Sequence, residues 1–173
     1  MQITYNEMKY IFRNHEEILS HNQKRILELY SEMEKEDNME QFISLKSIQF
    51  SDSIRTYGTK SDLSDVLEKI HRIQREKTLE VRSEFNSIMT ENQRINRLLI
   101  CYRSFATVDI NAHDIIRKIY VEGMTYEAVE MGTRLSHRSF EKKRKYAMNT
   151  IKQLFESDYT NSQILKKVDL HIK

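Results

Sequence analysis

The fold is decided by the stretch from His113 to Phe155, which reads HDIIRKIYVEGMTYEAVEMGTRLSHRSFEKKRKYAMNTIKQLF. Its apolar residues recur at helical spacing and are interrupted twice, which predicts three short helices. Asn111 is expected to cap the first helix, and Gly123 to close it, because glycine suits the left-handed backbone that ends a helix. Thr125 is a typical N-cap for the second helix.

The third helix is predicted to begin after a turn at Arg134 and Leu135, with Ser136 as its N-cap. Each helix has an apolar side that can pack on the others. These apolar residues are Ile115, Ile116, Ile119 and Tyr120, then Tyr126 and Val129, then Phe140, Ala147, Ile151, Leu154 and Phe155. The order predicts a helix-turn-helix, whose second helix enters the major groove of DNA with its N-terminus first.

The outward side of the third helix carries the candidate DNA-binding residues. They are Arg134, Ser136, His137, Arg138, Ser139, Lys142, Lys143 and Lys145, with Arg144 at the flank. Cationic side chains at such positions contact phosphates and read guanine edges, and the helix N-terminus offers backbone N–H groups to a phosphate. The alternative interpretation is that the basic run is a solvated helix face, and that His137 is an ordinary surface histidine.

The run from Gly123 to Ser136, followed by a basic helix that contains Ala147, resembles region four of bacterial sigma factors. Within that pattern it is similar to the phage and prophage late-transcription activators of the ArpU and RinA type. The resemblance implies promoter binding and late-gene activation with host RNA polymerase. The sequence departs from the family pattern at Glu130, where alanine is usual, and at Arg134, where the turn commonly has glycine.

The composition favours an all-α protein. Charged residues make up 31% and hydrophobic residues 39%, and the chain has three glycines and no proline. Hairpin turns need glycine or Asn-Gly, so there is too little turn material for a β-rich fold. The net charge is only +2, but nine basic and five acidic side chains lie between Asn111 and Phe155. The positive charge is therefore local.

Long coiled-coil-like helices are predicted before this unit, in antiparallel arrangement. One helix is expected over residues 4–35, a turn at 36–38, and a shorter helix that ends near Gly58. Ser61 or Asp62 is expected to cap a long helix over 63–102. Its apolar seam is predicted to run through Ile73 and Lys77 and, after a stutter between Lys77 and Val81, through Val81, Phe85 and Ile88. Polar Lys77 either fixes the register of this seam or faces solvent.

These patterns predict three consecutive segments: an N-terminal helical segment over 1–58, a long helix over 59–105, and the helix-turn-helix with a C-terminal tail over 106–173. A linker at 107–111 is expected to separate the long helix from the C-terminal unit. Because one long helix cannot bury its own apolar seam, the N-terminal helix, a partner chain or both must cover it, and we expect a homodimer through the long helices.

Other functional classes find no support in the sequence. The single Cys101 cannot form an intramolecular disulfide, and no signal peptide or apolar span is visible, so a cytoplasmic protein without membrane contact is expected. No catalytic motif, glycine-rich phosphate loop or histidine pair at ligand spacing is present. We therefore expect neither an enzyme nor a cofactor or metal site.

The sequence thus predicts a DNA-binding transcription regulator that acts on double-stranded DNA, with RNA polymerase as a further expected partner. Two other hypotheses remain open at this point. One is a recognition subunit for DNA packaging, which also joins a helix-turn-helix to long helices but forms a ring. The other is a sigma-like protein that binds a regulator or polymerase without DNA.

Overall fold

The computed structural model describes the backbone of residues 1–53 and 60–170, and the side chains of 1–33, 35, 68 and 71–166. Over these residues the protein consists of helices and contains no strand, so the predicted all-α class is confirmed. The helices are α1 (Tyr5–Ser53), α2 (Lys60–Phe105), α3 (Ile110–Ile116) with a π-helical turn (Arg117–Val121), α4 (Tyr126–Thr133), α5 (His137–Glu156) and α6 (Asn161–Leu170).

The chain divides into two compact units. Unit one combines Met1–Leu19 with Glu91–Lys173, and unit two is Ser20–Thr90. This division differs from the three consecutive segments suggested by the sequence, since the first residues of the chain group with its C-terminal part. The long helices α1 and α2 each contribute to both units.

Unit one is built on a single apolar core. Its first residues contribute Met8 and Phe12, both fully buried, because the first turns of α1 place these side chains on one helix face. The end of α2, α3 with its π-helical turn, α4, α5 and α6 supply the rest. The largest of these other fully buried side chains are Ile95, Leu98, Phe105, Ile115, Ile116, Phe140, Ile151, Phe155 and Ile164.

The turn between α5 and α6 is held by Arg97 of α2. Its guanidinium donates to the carbonyl oxygens of Phe155 at 2.9 Å and Ser157 at 2.6 Å. It also donates to the carbonyl of Tyr159 at 2.9 Å. The last carbonyls of a helix lack partners within the helix. Here one charged donor satisfies the Phe155 carbonyl at the end of α5 and two carbonyls of the following turn.

The connection from α2 to α3 is a tight turn. Phe105 ends α2, and Asp109 caps α3 by accepting a hydrogen bond from the Ala112 amide at 2.9 Å. The predicted cap at Asn111 is therefore wrong by two residues. Phe105 and Ala112 are both fully buried in the core of unit one, so 107–111 does not act as a linker between α2 and the C-terminal helices.

In unit two, side chains of α1 and α2 meet. Arg25 donates to both carboxylate oxygens of Glu84, at 2.7 and 2.8 Å, and the rings of Tyr30 and Phe85 are 5.4 Å apart in an edge contact. From Arg25 to the end of α1, and from Glu84 back to the start of α2, each helix runs roughly 40 Å. Six connecting residues span at most about 25 Å. The two helices are therefore antiparallel here, as predicted.

The structure corrects two details of the long helices. Residues 36–38 are helical within α1, so the predicted turn there is wrong. Ser61 and Asp62 lie inside α2, which begins at Lys60, so neither is its cap. The expected helix end near Gly58 lies outside the described residues.

Before Val81 the buried seam of α2 is shifted by one residue from the predicted one, whereas Val81, Phe85 and Ile88 lie in it as predicted. Ile73 and Lys77 are exposed, whereas Gln74 and Val81 are buried. With the partly buried residues Thr78, Phe85 and Ile88, the seam follows steps of four and three without interruption. The predicted stutter is wrong, and Lys77 faces solvent.

No helix in the described part of the chain is both long and apolar enough to cross a membrane.

Candidate nucleic-acid interface

Two capped helices joined by a short turn form the candidate interface. The Thr125 hydroxyl accepts from the Ala128 amide at 3.3 Å and begins α4. The Ser136 hydroxyl accepts from the Ser139 amide, also at 3.3 Å, and begins α5. Before α4, Gly123 has φ of +71° and closes the preceding helical segment. The predictions that Gly123 ends a helix and that Thr125 and Ser136 are N-caps are confirmed.

The turn between α4 and α5 contains a strained residue. Arg134 adopts the left-handed conformation with φ of 53°. An L-residue other than glycine pays roughly 1–2 kcal/mol for this backbone. Arg134 thus holds the conformation that the glycine of the sigma pattern would supply, and the predicted turn at Arg134 and Leu135 is confirmed.

Helix α5 has one buried and one exposed side. The predicted apolar residues Phe140, Ala147, Ile151 and Phe155 are buried, as is Met148, whereas Leu154 is only partly buried. Val129 of α4 is also buried, whereas Tyr126, which was predicted to pack inward, is 40% exposed. Because α5 is packed on one side and capped at its start, its other side points in a fixed direction.

The predicted site residues lie mostly on that exposed side. Seven of them are exposed, namely Arg134, Ser136, His137, Arg138, Ser139, Lys142 and Lys145, and Lys143 is partly buried. At about 100° per residue, Arg138, Lys142 and Lys145 fall within an arc of roughly 60° on α5. These three cations therefore form one strip, which we call the basic strip. Ser136 and Ser139 serve the cap, with a hydroxyl–hydroxyl distance of 3.0 Å.

His137 is joined to the end of α4. Its Nδ1 lies 3.0 Å from a carboxylate oxygen of Glu130, and its side chain is 78% exposed. The hydrogen bond and the negative charge of Glu130 raise the pKa of His137 above the ordinary histidine value. Sequence spacing did not predict this pair, because the two residues are seven apart and meet only across the turn.

Arg144 belongs to the supporting structure and not to the exposed side. Its side chain is 15% exposed, and it donates to Glu141 at 3.0 and 2.8 Å. It also donates to the hydroxyl of Tyr120 at 2.7 Å and to that of Tyr126 at 3.3 Å. The bond from Arg144 lowers the pKa of Glu141. Although it sits within the basic run of the sequence, Arg144 ties α5 to α4 and to the π-helical turn.

The two tyrosines complete this support. Their hydroxyls are 2.8 Å apart and their rings meet edge to face, with centroids at 6.4 Å. Burial raises the pKa of Tyr120 to about 12, so its hydroxyl keeps its proton. Tyr120 comes from the π-helical turn Arg117–Val121, a feature that often marks functional regions. Sequence spacing did not predict this turn.

The first residues of the chain cover the second half of α5. The Tyr5 hydroxyl donates to Asn149 Oδ1 at 2.6 Å, and Lys152 Nζ lies 5.0 Å from the Tyr5 ring centroid. The Ile3 amide donates to Glu156 at 3.1 Å. The open part of α5 is consequently its N-terminal half, which carries the basic strip.

The remaining candidates for a chemical site are metal ligands, Cys101 and His113. They contain no group of three or more His, Cys, Asp or Glu side chains arranged to hold a metal ion. Cys101 is fully buried, and burial raises the pKa of its thiol to about 11. His113 stacks on Tyr102 with ring centroids 4.3 Å apart, and burial lowers its pKa.

Comparison with known proteins finds no protein-family model that matches this sequence, and no curated protein or solved structure that matches it.

Proposed function

We propose that the protein is a transcription regulator that binds double-stranded DNA through α4 and α5, used as a helix-turn-helix. In this proposal α5 enters the major groove with its N-terminal half, and α4 lies across the sugar-phosphate backbone. The sigma-region-four resemblance suggests promoter DNA as the target and places the protein with the late activators of phages and mobile elements.

The observation that carries the proposal is the basic strip on the open half of α5. Arg138, Lys142 and Lys145 form no ion pair among the described residues, although the charge of Lys145 acts on Glu141 from a distance; Arg144, in contrast, is bound directly to Glu141. Unpaired cations on a rigid helix release counterions when they meet phosphates, and this release dominates DNA affinity. A solvated helix face would not require the capped and braced arrangement around it.

Specific reading of bases follows from the same placement. Arginine and lysine near the start of a recognition helix form paired hydrogen bonds to guanine O6 and N7. Arg138 lies in the first turn of α5, so it is the first candidate for base reading. Lys142 and Lys145 follow along the strip and are assigned to phosphates or bases deeper along the groove.

The long helices are assigned to partner binding. A single recognition helix makes few base contacts, and a homodimer would double them and fix the spacing of the two half-sites. RNA polymerase is the second partner in this proposal, as it is for the late activators that the sequence resembles.

The test is a pair of charge reversals in the basic strip. We expect Lys142→Glu with Lys145→Glu to abolish binding to duplexes selected from a random-sequence pool, because two attractive contacts become repulsive. The exposed Lys166 of α6 supplies the control: Lys166→Glu should bind as the wild type does. Circular dichroism should show equal helix content in all three proteins. Unchanged binding by the double variant would contradict the DNA role.

A further inference from the structure

Two cations from the first turns of α1 lie beside the segment that leads into α4. Arg13 Nη2 is 4.0 Å from the point that a Cβ atom on Gly123 would occupy. Lys9 Nζ is 5.9 Å from the centroid of the Tyr120 ring. Lys9 and Arg13 are one helical turn apart, so they share a face of α1. The fold therefore brings two positive charges, more than a hundred residues away in sequence, to the N-terminal end of α4.

The charges of this neighbourhood leave the two cations available. Neither has an ion-pair partner among the described residues, and Arg13 is exposed while Lys9 is partly buried. Of the nearby carboxylates, Glu122 is 3.5 Å from Arg117 and Asp114 is bound by Arg117 and Lys118. Glu127 is the acidic residue in the first turn of α4.

We infer that Lys9 and Arg13 contact backbone phosphates and extend the DNA-binding surface beyond α4 and α5. This inference rests on the proposed function. In a helix-turn-helix the first helix crosses the backbone while the second lies in the groove. Helix α4 has eight residues and is roughly 12 Å long, similar to the width of the major groove. Cations at its far end are thus placed near the strand that borders the groove.

The contact is with phosphate and not with bases, because the two side chains lie at the start of α4 and not on the groove-facing side of α5. It should therefore add affinity without changing which sequence is preferred. It also gives the first residues of the chain a role in DNA binding besides their role in the core.

The experiment measures duplex binding over a series of salt concentrations for Lys9→Ala, Arg13→Ala, the double variant and the wild type. The slope of log K against log salt is negative, and each lost phosphate contact should reduce its magnitude by about 0.9. The double variant should therefore show a reduction of about twice that amount. Each single variant should bind roughly threefold to tenfold more weakly on matched and unmatched duplexes alike. Arg13→Lys should retain the slope, and Lys166→Ala serves as the control with equal loss of charge.

The outcomes separate this inference from the proposed function. A wild type that binds no duplex of about 30 base pairs even at low salt would overturn both. If the wild type binds, and the Lys142→Glu/Lys145→Glu protein does not, unchanged slopes for Lys9→Ala and Arg13→Ala would overturn the phosphate contacts alone. A weaker Lys9→Ala protein with an unchanged slope would show that Lys9 acts by packing on Tyr120, and would also contradict its contact with DNA.

Discussion

At the scale of single residues, Arg134 shows how the turn between α4 and α5 combines conformation with charge. Among the described residues it is the non-glycine residue with positive φ. A glycine would relieve most of the backbone strain but would remove an exposed guanidinium directly before α5. Strained residues of this kind persist mainly at functional sites. Arg134 therefore fits the proposed contact surface better than a purely structural turn.

His137 gives the site a predictable dependence on pH. Its pKa is raised by Glu130, so the imidazolium persists to higher pH than in an ordinary histidine, and its charge is lost as pH rises through this raised value. We expect DNA affinity to be highest at and below about pH 6.5 and to fall as the pH rises above that value. Fluorescence anisotropy at fixed salt measures this profile.

Two variants check the origin of the profile. Glu130→Gln should shift the fall in affinity to lower pH, because it removes the charge that raises the pKa of His137. His137→Gln should remove the fall altogether. Since the side chain is 78% exposed, unfolding measurements should show little change in either protein. Identical profiles for the wild type and His137→Gln would contradict a contribution of this residue to binding.

Single-residue roles were predictable where they depend on neighbours in the chain. The caps Thr125 and Ser136 bond to amides three residues ahead, and Gly123 marks a local backbone conformation. The pairing of His137 with Glu130 depends on the angle at which two helices cross. Nothing in the sequence states that angle, so the pair could not be predicted.

At the scale of helices, α5 carries two kinds of basic residue that look alike in sequence. Arg144→Met should lower the free energy of unfolding by roughly 2 kcal/mol, because it leaves Glu141 and the Tyr120 hydroxyl without a charged donor in a mostly buried place. Lys142→Met changes an exposed residue and should alter stability by less than about 0.5 kcal/mol. Chemical denaturation measures both.

The two variants should rank in the opposite order when the salt dependence of their DNA binding is measured. Lys142→Met should reduce the magnitude of the slope of log K against log salt by about 0.9. Arg144→Met should leave this slope unchanged under conditions where the protein is folded. A drop in slope for Arg144→Met, without loss of stability, would mean that the observed network does not hold this side chain away from DNA.

The long helices show where periodicity succeeds and fails. The existence of α2 followed from its four-three spacing, but the sequence favoured Ile73 for the seam because isoleucine is apolar. Polar Gln74 is buried instead and Ile73 is exposed. The antiparallel partner decides which of two adjacent positions faces inward, and that partner is not visible in the spacing of one helix. The predicted turn at 36–38 was wrong because polar residues do not by themselves end a helix.

At the scale of the whole molecule, the first residues of the chain are part of the core of unit one. Phe12→Ala should lower the free energy of unfolding by roughly 3–5 kcal/mol, because the side chain is fully buried. That loss is a large part of the stability of an ordinary domain, so DNA binding should weaken with it. Denaturant titration followed by circular dichroism measures the change.

The control lies on the same helix. Tyr10 is 61% exposed, and Tyr10→Ala should change the free energy of unfolding by no more than about 0.5 kcal/mol. Equal stability of the Phe12→Ala and wild-type proteins would contradict the placement of the first residues in this core. The sequence predicted an amphipathic first helix, but which distant apolar side chains it would cover depends on the complete chain.

The joining of residues 1–19 to the core built by 91–173 has a consequence for synthesis. A ribosome that adds roughly 5–20 residues per second makes the first turns of α1 on the order of ten seconds before Ile164 emerges to complete their surroundings. During that interval Met8 and Phe12 have no finished interior to enter. The nascent chain must keep these apolar groups from aggregation until Ile164 has been made, so unit one acquires its final form only after its last buried helix has emerged.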